Sequence, residues 1–353
     1  MKTLFMPRLL PFSAPVTLDQ ILQRNSYYTD VDMTAEEMLT KINLANSNLA
    51  KLNLDRGTLH IPEQDEARII AAAQQSLAFL QRYTMCFQTQ NSLGRQLGIY
   101  FGYHKNDGKN ASVNFLSFMH NNKLDSLGDA QGFMYSGYTN LLNSKSNDDS
   151  MLTKAQDQMN RLSQEHRLDN PAENNELLAD LGHVCFLLAL THYRKNELAP
   201  LAESGKWLET AGLFLLKAIN YQTEALTLAE TDDAQLPMLL ELTNSWRLAC
   251  VISYKTQDIF DKDKTFEKSQ EWFLKMTLIH NRVKETSPHV RVALIQDKFV
   301  AEFFNIQTAI QLRTGSTPTI AGMYGAVRQA TSHAALQTQS PAAPQHDYRP
   351  PFG

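Results

Sequence analysis

The sequence lacks most of the residue patterns that would announce a reaction. Its three cysteines, Cys86, Cys185 and Cys250, are odd in number and far apart, whereas a disulfide framework needs an even set at close spacing. Each sits among apolar neighbours and reads as a buried thiol in a reducing compartment. No His-Glu-x-x-His and no Cys-x-x-Cys occurs. His183, Cys185 and His192 fall off any common helix face, so they cannot chelate together, and no metal or cofactor is expected. No apolar run of about 18 residues is present, so no membrane-spanning helix is expected. Lys and Arg number 33 against 37 Asp and Glu, a net charge of −4 without any basic run. A surface of that sign does not attract polyanions, so nucleic acid is excluded as the expected partner. Alternating β-branched runs are also missing, which argues against strands. In the first residues Pro7, Arg8 and Pro11 interrupt the apolar stretch, so 1–15 is expected to be an extended arm rather than a secretory leader.

Several near-motifs fail on inspection. Asp258, Asp261, Asp263 and Glu267 cluster as in a calcium loop, but counting from Asp261 the sixth and twelfth positions are Phe266 and Trp272 where glycine and glutamate are required. These acids are expected to solvate a turn and cap the following helix. Glu203-Ser204-Gly205-Lys206 lacks the upstream glycine and the downstream hydroxyl of a phosphate loop. Gly128-Asp129-Ala130-Gln131-Gly132 carries alanine where a nucleophile elbow needs serine.

Helix signals are abundant. Thr17-Leu18-Asp19-Gln20 and Thr34-Ala35-Glu36-Glu37 fit the capping box, in which a hydroxyl and a carboxyl or amide satisfy orphan N–H groups reciprocally. Pro62, Pro171 and Pro288 sit where a helix opens, because proline lacks only an N–H that is unsatisfied there anyway. Apolar residues then recur at three- and four-residue spacing over 62–90, 171–194, 203–230, 235–260, 264–286 and 288–313. Short polar links such as Asp232-Asp233-Ala234 and Asp261-Lys262-Asp263 force neighbouring helices to run antiparallel. The expectation is an all-α protein of about ten to twelve helices. It comprises an irregular N-terminal helical unit over 16–168, a stack of long antiparallel hairpins over 171–315, and a weak helix and proline-rich, disordered tail over 316–353.

Residues 92–143 differ from the rest in holding many glycines and aromatics. Gly94, Gly98 and Gly102 lie four apart, as do Gly128, Gly132 and Ser136, so two helices are expected to cross along these small-residue stripes. The same segment supplies the candidate catalytic residues His104, Asp107 and His120. Imidazole and carboxylate are the usual partners in proton transfer.

Leu181-Gly182 in one helix, followed by Ala211, Phe214, Lys217 and Ala218 in the next, resembles the small-and-aromatic packing of tetratricopeptide hairpins. So do Trp246, Ala249 and Tyr254 followed by Ser269, Trp272, Phe273 and Lys275. Family repeats are shorter than these hairpins, and no fixed period holds. In size and layout the chain is similar to the Bro-type domain of endosomal-sorting adaptors, without that domain's motifs. In its Asn/Gln-rich composition, as at Asn174-Asn175, it resembles effectors secreted by intracellular bacteria. These resemblances imply an α-solenoid that binds a protein partner, cytoplasmic in its own cell or in the host cytosol if secreted. Trp207, Trp246, Arg247 and Trp272 are the candidate binding anchors, because aromatic and arginine side chains dominate interface energetics. The alternatives are an enzyme with its site in 94–138 and a self-associating structural protein.

Overall fold

The computed structural model describes residues 34–314, apart from 53, 83–85, 120–126, 144–147, 166–170, 201–203, 257–258 and 294. The expected arm over 1–15, the capping box at Thr17, His120 and the tail beyond 314 lie outside the described residues. Eleven α-helices and two short strands are present among them. In chain order these are α1 (Ala35–Lys51), β1 (Thr58–Leu59), α2 (Glu63–Arg82), α3 (Phe87–Ile99), a π-helical turn (Tyr100–His104), α4 (Gly108–Met119), α5 (Leu127–Leu142) and α6 (Ser150–Glu165). Then follow α7 (Pro171–Leu198), α8 (Ser204–Leu228), α9 (Asp232–Lys255), α10 (Lys262–Thr286), β2 (Arg291–Val292) and α11 (Lys298–Thr314). The chain divides into two compact units after Phe303, within α11. In the second unit the described residues continue α11 from Phe304, with the Thr308 hydroxyl donating to the Phe304 carbonyl at 2.9 Å.

Within the first unit each helix from α1 to α10 packs against the next in sequence. The fold is therefore an all-α stack of neighbouring helices. Local chemistry sets many of its ends. Thr34 and Glu37 close a reciprocal capping box on α1, Pro171 opens α7, and the Asp261 carboxylate accepts the Asp263 and Lys264 N–H groups at the start of α10. Gly182 on α7 lies against Ala218 and Gln222 of α8, the register that an antiparallel hairpin about the 199–203 link requires.

Four expectations need correction. The periodic run over 62–90 is not one helix: it ends at Arg82 and restarts at Phe87, with Cys86 at φ 52° between, a left-handed conformation that no helix interior tolerates. Cys86 is half-buried rather than buried. Residues 288–297 do not open a helix at Pro288. They hold β2, antiparallel to β1 with Thr58 opposite Val292 and Leu59 opposite Arg291, and α11 starts only at Lys298. Two strands of two residues carry no alternation for a sequence pattern to show.

The two glycine stripes do not face one another as expected. A side chain at Gly98 would stand 2.5 Å from the Phe115 ring of α4, and one at Gly102 would meet Ala111 of α4 and Tyr138 of α5. The α3 stripe is thus covered by aromatic rings, with Phe115 itself stacked on Tyr135 at 4.3 Å. Gly98→Leu should therefore unfold the protein more easily by about 3 kcal/mol, since overpacking a filled core displaces side chains and backbone. Thermal melting checks this; an unchanged midpoint would show that α3 and α4 are not in tight contact at Gly98.

Candidate functional site

The segment between α1 and α2 is short and lies inside the protein. Leu52, Leu54, Thr58, Leu59 and Ile61 are all buried. Asp55 folds it locally by accepting the Gly57 and Thr58 N–H groups, both at 2.6 Å. Gly57 then lies so close to Pro237 of α9 that any side chain there would stand 2.8 Å from the proline Cα. This turn aims Arg56 into the stack.

Arg56 is the centre of a buried polar cluster. Its Nη1 donates to Asp180 Oδ1 of α7, and its Nε donates to Glu241 Oε1 of α9 at 3.2 Å. Asp180 Oδ2 also accepts from Gln131 of α5 at 2.6 Å. Gln131 donates to Glu176 at 3.0 Å, and Glu176 accepts from Arg95 at 3.2 Å. His183 Nδ1 lies 3.2 Å from Glu241 Oε1 without hydrogen-bond alignment, and its Nε2 is 2.8 Å from the Tyr103 hydroxyl. A carboxylate facing Nδ1 places the imidazole proton there, so Nε2 accepts from Tyr103.

The π-helical turn brings neighbouring residues to the same place. Its wide ring, closed by Lys105 N donating to Tyr100 O at 3.1 Å, lets both Tyr103 and His104 line one cleft, and such insertions recur at functional sites. Tyr103 stacks on Tyr138 of α5 at 4.0 Å. His104 Nε2 donates to the Asp55 carbonyl at 2.7 Å, which leaves Nδ1 as an acceptor.

The cleft follows α7. His183, Leu187, Leu190 and Arg194 line it at helical spacing, a stripe about 16 Å long at 1.5 Å per residue. Leu141, Leu142, Phe186 and Leu240 add to its apolar wall. At the far end Arg194 donates to Asp297 and to the Leu141 carbonyl at 2.7 Å. The cleft encloses about 70 Å³, room for roughly five water molecules.

Burial shapes the titrating groups. It pushes His183 down against the upward pull of Glu241, and pushes His104 down against its bond to the Asp55 carbonyl. Burial opposes the Glu241 charge, yet Arg56 and His183 hold its carboxyl below the usual range. The Tyr103 hydroxyl is pushed up by burial and by neighbouring Tyr138. Burial also raises the thiols, Cys185 to about 11 and Cys250 to about 12. Among the described residues no three His, Cys, Asp or Glu side chains converge as a metal site.

The sequence candidates are scattered. His104 lines the cleft. Asp107 caps α4, accepting the Asn110 N–H at 3.0 Å and the Asn110 amide at 2.6 Å, and His120 is outside the described residues. Trp207 is half-buried against His192, whose ring stacks 5.5 Å away, and Lys195 covers its face. Trp246 is half-buried, its indole N–H without a partner among the described residues. Arg247 is buried, its guanidinium over Phe273 and Phe303 at 5.2 and 5.5 Å. Trp272 is half-buried beneath Lys275 at 4.2 Å. Arg56, Tyr103, Tyr138, Glu241 and Asn244 of the cleft escaped sequence reasoning, and His183 was weighed only as a metal ligand and set aside. The available signal was a charged or polar residue inside an apolar run, as with Asp180 and His183 among the leucines of α7.

Compared with known proteins, the chain matches no family model, no curated protein and no solved structure.

The lowered histidines set an acid limit. An unfolded histidine takes up its proton near pH 6.5, whereas His104, His183 and His192 are all held below that value in the fold. The unfolded chain therefore binds protons first as pH falls. Stability is full above about 6.5 and declines progressively below it, before the carboxylates titrate. The melting midpoint should drop by several degrees between pH 7.5 and 5.0, and His183→Gln should flatten that slope. A midpoint independent of pH in this window would contradict the burial of these imidazoles.

Proposed function

We propose that this protein is a non-catalytic binding scaffold, an adaptor of tetratricopeptide-like helical hairpins that holds a protein partner by receiving one of its side chains in the cleft along α7. The observation that carries the reading is the cleft itself: an apolar wall of leucines ending in charged pairs that are already locked to each other. Its size selects the kind of ligand. A free molecule filling it has about five heavy atoms, worth roughly −1.5 to −7.5 kcal/mol at −0.3 to −1.5 kcal/mol per atom. Tighter binding needs contacts outside the cleft, which a polypeptide brings. Exposed Leu213 and Leu216 on α8, and Leu274 and Leu278 on α10, offer apolar area for such contacts, and half-buried Trp207 and Trp272 offer anchors.

Binding is favoured over nucleophilic catalysis because the candidate nucleophiles are held in their inert forms. The two buried thiols and the Tyr103 hydroxyl are pushed away from the anion, and a thiolate or phenolate is what would attack. The close approach of Gly182 to α8 supports the tetratricopeptide-like reading of the hairpins. The effector reading rests on composition, and a partner drawn from a eukaryotic lysate would favour it.

Quantitative affinity capture with mass spectrometry, from bacterial and eukaryotic lysates, tests the proposal. Wild-type protein should retain one stoichiometric partner, and Leu142→Trp, which fills the cleft from a half-buried position, should lose at least nine-tenths of it at an unchanged melting midpoint. Capture that survives in Leu142→Trp, or no partner from either lysate, would overturn the reading.

A further inference from the structure

The cleft keeps several hydrogen-bonding ends that no described residue uses. Glu241 accepts from Arg56 on Oε1, which also lies 3.2 Å from His183 Nδ1, leaving Oε2 without a partner among the described residues. Asn244 is 4% exposed and lines the cleft, yet its amide bonds no described residue. His104 spends Nε2 on the Asp55 carbonyl and keeps the Nδ1 lone pair without a partner among the described residues. Three acceptors thus belong to residues that line one cleft. Arg56 Nη2 and the Asn244 N–H groups are the donors left over.

The formal charges decide what those acceptors want. Two guanidiniums, Arg56 and Arg194, stand against three carboxylates, Asp180, Glu241 and Asp297. Of the adjoining groups, Arg95 cancels Glu176, and Glu66 with Lys105 and Arg291 leaves one positive charge. Asp55, whose backbone carbonyl faces His104, offsets that positive charge with its carboxylate, so one negative charge remains in the sum. Both imidazoles are neutral. The cleft therefore carries uncompensated negative charge in a half-buried place, where it attracts a cation more strongly than it would in water. The stacked rings of Tyr103 and Tyr138 add a π-face of the kind a cation favours.

We propose that the cleft is a receptor for a primary ammonium on a short apolar stem, with Glu241 as counter-ion and Asn244 and His104 accepting the remaining N–H groups. The stem lies along Leu187 and Leu190. A lysine side chain of a partner and a free alkylamine share this chemistry. The assignment rests on the cleft being the binding site, as proposed above, and it names what enters.

The test is a titration of the full-length protein with n-butylammonium chloride at constant ionic strength, read by isothermal calorimetry and by the melting midpoint. Sodium butyrate, of equal size and opposite charge, probes Arg56 Nη2 as the competing end. A capped Gly-Lys-Gly peptide is the third arm. Butylammonium should bind in the millimolar range and butyrate at least tenfold more weakly. Asn244→Leu should weaken the amine at least tenfold without lowering the melting midpoint, and Glu241→Gln should abolish binding. Glu241→Gln removes a counter-ion of Arg56, so Asn244→Leu decides the matter if that variant fails to fold. Butyrate binding as tightly as the amine, or Asn244→Leu binding the amine unchanged, would overturn the assignment. A peptide at least tenfold tighter than butylammonium makes lysine the source. Amine binding without peptide binding leaves a free amine as the source, so the partner reading falls while this one stands. Capture of a partner that Leu142→Trp loses, with no amine binding, has the opposite consequence.

Discussion

The buried guanidinium of Arg56 is the constraint on which the rest of the first unit depends. It joins the turn after α1 to Asp180 and Glu241, residues 124 and 185 positions away in sequence. A charge that deep is costly unless its partners hold it, and removing one partner from such a cluster typically costs about 3–5 kcal/mol. The chain meets this demand by several local devices. Asp55 shapes the turn, Gly57 lets it touch Pro237, and the Ala293 N–H donates to the Gly57 carbonyl at 2.7 Å. The short β1–β2 pairing and the Arg291–Glu66 contact at 2.6 Å then fasten the segment before α11 to the same turn. Early and late parts of the unit are tied at this place, although most other helix packing in it is between neighbours in sequence.

The cleft is a by-product of this cluster. Charges that must satisfy one another cannot be filled over with leucine, so space remains where α5, α7, α9 and the π-helical turn meet the Arg56 turn. Mutual pairing consumes most of the hydrogen-bonding capacity and sets which ends remain open. The same burial that lowers the imidazoles and raises Tyr103 keeps these three groups in their neutral forms at neutral pH. Recognition is the work we propose for this arrangement.

Local structure was legible in the sequence to the extent that it is locally caused. Thr34 with Glu37, Pro171 and Asp261 mark helix starts because the capping partners are three or fewer residues away. The α7 and α8 stripes are visible because the helical period repeats many times. The break at Cys86 was hidden, since a left-handed residue that is not glycine leaves no compositional mark. The 288–297 segment was misread because its conformation is set by residues near 58, not by its own pattern. The site was less legible than the fold. His104 stood out through its glycine-rich, aromatic surroundings, whereas Arg56 is one charge in a three-residue turn. Its significance arises only when α7 and α9 bring Asp180 and Glu241 to it.

Hydrogen exchange on Arg56→Met, compared with the wild-type protein under conditions where both remain folded, tests this account most directly. If Arg56 fastens the unit, amides of residues 54–61 and 290–293 should lose protection by at least tenfold, while those of the α7–α8 and α9–α10 hairpins, held by their own neighbours, should keep theirs. Unchanged protection near residues 54–61, or equal loss throughout all helices, would show that the buried guanidinium is not what ties the two ends together.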